Sequence, residues 1–241
     1  MARKVLAEPT PAPFVGFGAG ALPFFDSLAR NQTRDWFLAN KTIYETQIRD
    51  PLGALVEALA FAFAAHDIPL TGDAKRSLFR INRDVRFSKN KTPYKTNAGA
   101  VMTRDGIKMS SGPLYIQIGG EDGSMMAVGF YGPEPKDLAT LRHAIADQQE
   151  AWDEVESALA EAGLVLSMGD ALTRPPKGFE AFATSPINEM LKRRNFVTNR
   201  PINPDRLRNV ALIDDIVDFT ISALPLLRFG WRALDRARVG L

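Results

Sequence analysis

Over residues 114–131 apolar and polar positions alternate along the chain. Leu114, Ile116 and Ile118 alternate with Tyr115 and Gln117, and Met126, Val128 and Phe130 with Met125, Ala127, Gly129 and Tyr131. A period of two marks strands with one face buried. The five residues 119–123 join the two runs, and antiparallel pairing across them sets Ile116 against Met126 and Leu114 against Val128. Both apolar sets then share a face. The other face presents Tyr115, Gln117, Ala127, Gly129 and Tyr131, which floor a ligand pocket or lie under a helix. Upstream, residues 97–104 and 107–110 flank Asp105-Gly106, a two-residue hairpin signal. Residues 164–166 predict an edge strand and 196–198 a last strand. Phe79, Ile81, Val85 and Phe87 also alternate with Arg80, Asn82, Asp84 and Arg86, with Arg83 in the apolar set. If that strand runs unbroken, Arg83 is buried and needs an acid or a ligand anion. If it ends near Asn82, both Arg83 and Arg86 lie in a solvated loop.

Helical spacing fills the rest. It predicts a helix over 21–30 and another to about residue 48, with Asn31 or Thr33 as N-cap. Asp50-Pro51 restarts a helix buried nearly all round, with Leu52, Leu55, Val56, Leu59 and Phe63 on one face. Further helices follow over 135–149 and 150–162, the second stopped by Gly163. A short one begins at Ser185-Pro186, and a long C-terminal one at Asn203-Pro204. Asn40 shares a face with Trp36 and Tyr44, so it bonds to backbone or points into a pocket. Residues 1–13, with Pro9, Pro11 and Pro13, predict a flexible tail. Residues 14–241 predict a single α+β domain, an antiparallel β-sheet of four or more strands with helices mainly on one face.

Composition narrows the function. With no cysteine among 241 residues, disulfides, thiolate nucleophiles and Cys-ligated metals are excluded. His66 and His143 are far apart and read as helix-surface or helix-end residues, so no metal site and no cofactor is expected. No run is long and unbroken enough to span a bilayer, and the N-terminus lacks a signal-peptide core, so a cytoplasmic protein without a membrane partner is expected. Net charge is only +2, but it is unevenly spread. Residues 74–108 carry ten Lys and Arg against Asp84 and Asp105, and residues 120–170 carry eleven acids against Lys136 and Arg142. The basic density peaks in residues 80–95, RINRDVRFSKNKTPYK. Such density implies something negative opposite it.

Three blocks carry a resemblance to a known family. They are Asn31-x-x-Arg34-x-Trp36-Phe37-x-x-Asn40-Lys41-x-x-Tyr44, then Arg83-Asp84-Val85-Arg86-Phe87-Ser88-Lys89-Asn90-Lys91-Thr92-Pro93-Tyr94-Lys95, then Arg174-Pro175-Pro176-Lys177-Gly178-Phe179. In order and spacing they resemble the bacterial and fungal conserved hypothetical proteins catalogued as domain of unknown function 2461, over roughly residues 22–205. Asn90 stands where that family's pattern has Asp. The resemblance implies no activity, cofactor or catalytic residue.

The residues therefore point to a binding site for an anionic partner, a phosphorylated small ligand or a nucleic acid. Its candidate residues are Arg83, Arg86, Lys89, Lys91, Tyr94 and Lys95, with Asn40, Lys41 and Tyr131 as polar groups nearby. Arginine suits bidentate phosphate or carboxylate contacts and lysine adds mobile charges. Neither GxxxxGK[ST] nor GxGxxG after a strand accompanies them. Two alternatives stay open. One is a structural or interaction protein whose basic block pairs with the acidic helical surface. The other is a hydrolase or transferase acting on a phosphorylated substrate, with Lys and Tyr as acid and base.

Overall fold

The computed structural model describes residues 13–167 and 169–240. The expected tail lies almost wholly outside them. The first half is helical: α1 Ala21–Arg30, α2 Arg34–Ala39, α3 Lys41–Tyr44, a π-helical turn Glu45–Arg49, α4 Asp50–Ala65 and α5 Ala74–Ser77. The predicted helix to residue 48 is thus broken at Asn40. Its N-cap is Thr33, whose hydroxyl accepts the Trp36 N–H at 3.3 Å. Asp50 does not cap α4; it sits in continuous helical backbone and pairs with Arg49. Nor is α4 buried all round. Leu52, Leu55, Val56, Leu59 and Phe63 are buried, but Phe61 on the opposite side is 81% exposed.

The sheet is an antiparallel meander, β1 Asn97–Met102, β2 Leu114–Gly119, β3 Met125–Phe130 and β4 Phe196–Pro201, in that order across the sheet. Leu114 pairs with Val128 and Ile116 with Met126, as the alternation requires. Asp105-Gly106 does not make a hairpin, and residues 107–110 form no strand. The Asp105 carboxylate instead accepts from Ile107 N–H, Ser110 Oγ and Thr103 Oγ1, closing a loop of its own. β1 therefore passes through that loop directly into β2. The expected edge strand over 164–166 is reduced to a single bridge from Leu166 to Thr198 on β4.

Helices α6 Pro135–Asp147, α7 Gln149–Glu161 and α8 Asn188–Leu191 lie between β3 and β4, and α9 Pro204–Leu207 and α10 Leu212–Arg238 follow β4. Asn203 caps only α9, accepting the Asp205 N–H; the long helix begins later, at Leu212. α10 packs on α7, α6, β3 and α4, while α1 meets β2, and α4 and α5 meet β1. Leu114, Ile116, Ile118, Met126, Val128, Phe130 and Phe196 are all buried in one core with the apolar residues of α4 and α10. Among the described residues no helix is long and apolar enough to cross a membrane.

Candidate functional site

Residues 78–96 build an arm on the free edge of β1. Leu78 bridges Ala100, and Phe79 N–H donates to the Gly99 carbonyl at 2.9 Å. The chain then runs past the start of β1, turns, and returns, with Arg83 N–H on the Pro93 carbonyl and Lys95 N–H on the Ile81 carbonyl. These bonds make a ribbon, but not the unbroken strand over 79–87 that is one of the two readings of the alternation. Pro93 has no N–H to donate. Side chains supply the rest of the turn: the Asn90 amide oxygen accepts both the N–H and the hydroxyl of Thr92. That position asks for an acceptor oxygen, which Asn and Asp both offer.

The alternation survives only in part. Ile81 is buried, Arg83 and Val85 are half-buried, and Arg80, Asn82, Asp84 and Arg86 are exposed, but Phe87 is 96% exposed. Among the described residues Arg83 meets no carboxylate; its Nη1 donates to Thr92 Oγ1 at 2.7 Å. Arg86 grips Asp84 through Nε at 3.0 Å and Nη2 at 2.7 Å, holding that carboxyl below its ordinary pKa. Lys91 Nζ donates to the Val85 carbonyl, and Lys89 is exposed near the tip.

The remaining sequence candidates are dispersed. Tyr94 is buried, its ring stacked on Phe37 at 4.5 Å, and its N–H donates to Gln32 Oε1. It docks the arm on α2 and faces no solvent. Asn40 ends α2, its amide donating to the Trp36 carbonyl, and exposed Lys41 pairs with Glu45. Tyr131 follows β3 at the end of the sheet where β1 finishes, opposite the end from which the arm projects. His66 caps the end of α4, and His143 on α6 lies against the Phe179 ring at 4.7 Å.

The arm's base gathers residues that periodicity does not bring together. Lys95 Nζ lies 5.2 Å and Lys108 Nζ 4.9 Å from the centroid of the Phe79 ring. Lys108 also donates to the Leu78 carbonyl. Phe79 meets Tyr115 edge-on, and the Tyr115 hydroxyl and the Asn97 amide both donate to Gln117 Oε1. Gly99 makes room for this: a Cβ there would stand 2.9 Å from the Tyr115 ring. Burial pushes the Lys95 ammonium below its ordinary pKa, and Arg80 and Lys108 push it further. Burial alone lowers Lys108 and raises the Tyr115 phenol. Among the described residues no carboxylate offsets the charge of either lysine. Phe79 and Tyr115 were legible as alternating positions, but only the fold of the Asp105 loop brings Lys108 to them.

A family model described as conserved hypothetical protein (DUF2461) matches residues 20–229. The chain belongs to this family. The match takes in most of α10, beyond the span on which the sequence motifs drew the resemblance. No curated protein and no solved structure matches the chain.

Proposed function

We propose that the protein binds an anionic ligand, bearing phosphate or carboxylate, at the base of the arm, where Lys95 and Lys108 converge with Arg80 beside them. The observation that carries this reading is the pair of ammonium groups within about 5 Å of one ring, with no acid among the described residues compensating them. Arg80 and Lys108 both repel the Lys95 ammonium, and a bound anion relieves that repulsion. Phe79 supplies an apolar wall, and the Tyr115 hydroxyl a hydrogen-bonding group. Among the described residues, no ion pair joins residues 80–95 to the acidic 120–170 region; Arg86 pairs with Asp84 inside the block. That favours an external anion over internal pairing. A cytoplasmic setting, rich in phosphorylated compounds, suits the reading.

Thermal melts with inorganic phosphate or pyrophosphate, at matched ionic strength, test it. A ligand at a hundred times its Kd stabilises by about 2.7 kcal/mol, which raises the melting temperature by several degrees. Lys95→Met, which removes an uncompensated charge, is expected to melt at or above the parent without ligand and to lose the phosphate response. The pH sign follows from the lowered lysine. The unfolded chain binds the extra proton, so the free protein gains stability as pH rises from the lowered value towards that of an ordinary lysine. Phosphate stabilisation fades over the same rise, because the ammonium is lost. No phosphate shift, or an equal shift in Lys95→Met, overturns the proposal.

A further inference from the structure

The tip of the arm holds an aromatic side chain in solvent. Phe87 is 96% exposed, and Arg86 Cζ lies 5.9 Å from its ring centroid. The tip is not slack chain. Arg86 is clamped to Asp84, Lys91 to the Val85 carbonyl, and Asn90 and Arg83 both to Thr92. Phe87 stands exposed beside Arg86; Lys89 and Lys91 follow in the same turn, and Arg80, Lys95 and Lys108 lie at the base of the same arm. A projecting ribbon thus carries cations along its length and a bare ring at its end.

We infer that the arm binds single-stranded nucleic acid, with a base stacked on Phe87 and successive phosphates on the cations from tip to base. The inference rests on the anion-binding reading and names its partner. Single strands present both features the arm offers to match: a repeating negative backbone and open base faces, on which an aromatic side chain stacks with little regard to sequence. A duplex has the same charge but hides its base faces. An anionic membrane has the charge too, but the tip presents one apolar ring among Ser88, Lys89 and Asn90, too little apolar surface to anchor in lipid.

The test is fluorescence anisotropy with labelled oligo(dT) of about twenty nucleotides, long enough to exceed the site of a single small binding module. With about four phosphates neutralised, affinity is expected to fall about fiftyfold between about 50 and 200 mM salt. Phe87→Ala is expected to weaken binding about tenfold, with Phe87→Trp restoring it. Lys89→Ala is expected to flatten the salt dependence. Phe87 packs against little, so its variants keep the parent melting temperature. A duplex of equal length is expected to bind more weakly and to ignore Phe87. Absence of oligo(dT) binding, equal binding by Phe87→Ala, or preferential binding to phosphatidylserine vesicles overturns the inference. Phosphate melts separate its failure from that of the base site. If phosphate still stabilises both the parent and Phe87→Ala while oligo(dT) does not bind, the nucleic-acid partner falls and the small-anion site stands. If neither ligand acts, both fall.

Discussion

Arg83 and Arg86 stand three residues apart in one basic run and do different work. Arg83 is half-buried and tied to Thr92, whose hydroxyl in turn leans on Asn90. Removing its guanidinium leaves the inner side of the arm without its cross-tie, a charged hydrogen bond worth about 1.5–3 kcal/mol at most. Arg86 clamps a neighbour two residues away, in solvent, where ion pairs contribute little. In urea denaturation Arg83→Ala is therefore expected to lower the midpoint measurably, and Arg86→Ala to leave it close to the parent's. Equal midpoints would mean the Thr92 tie adds nothing to the fold. The alternation placed Arg83 on the inner side, but the acid or ligand anion expected as its partner is a Thr92 hydroxyl instead. A hydroxyl across a turn leaves no trace in a period of two. Tyr94, Asn40 and Lys41 were legible as polar or aromatic positions in the family blocks. Their engagements, with Phe37, Trp36 and Glu45, were not, because each depends on how α2 and α3 meet the arm.

At the scale of elements, β2 and β3 were legible down to their register because two independent signals agree. The alternation assigns faces, and the five-residue loop permits one pairing that puts both apolar sets together. The segment 79–87 has the same alternation, yet it sits on an edge with Pro93 opposite, so its ladder is interrupted. Asp105-Gly106 misleads for a chemical reason: the carboxylate that favours a tight turn also accepts three local donors, and the wider loop wins. β3 and β4 pair over six residues from Met125–Pro201 to Phe130–Phe196, and Gly129 faces Val197. Its φ is +139°, and an added Cβ would stand 2.1 Å from the Phe196 carbonyl oxygen. Backbone strain and overlap together predict that Gly129→Ala destabilises by about 2–4 kcal/mol. Chemical denaturation measures this, and a loss well under 1 kcal/mol would mean the β3–β4 pairing shifts easily to accept a side chain.

At the scale of the whole molecule, α10 is the common wall of the core. It packs on α7, α6, β3 and α4, and its buried residues run from Leu212 to Leu234. Near its far end Arg104, from the loop after β1, forms a forked pair with Asp235 at 2.7 and 2.8 Å and lies over the Trp231 ring at 4.9 Å. The Trp231 indole N–H also donates to the Ser111 carbonyl in the same loop. These contacts join the sheet's β1–β2 loop to the end of the chain. Arg104 holds the Asp235 carboxyl below its ordinary pKa, so the sign is that of a paired acid. Its stabilisation is complete above the pKa of a free aspartate and is lost as pH falls through the lowered value. Both partners are partly exposed, so the contribution is under about 1 kcal/mol. Asp235→Asn is therefore expected to melt slightly below the parent near neutral pH, and the gap to close in acid, as pH falls below the ordinary aspartate range and through the lowered value. Because α10 touches both the helical half and the sheet, loosening its end should displace one cooperative transition without dividing it. Melts followed by far-ultraviolet circular dichroism and by tryptophan fluorescence check both points. A gap that persists in acid would refute the ion pair. Two separate transitions would refute a single core closed by α10.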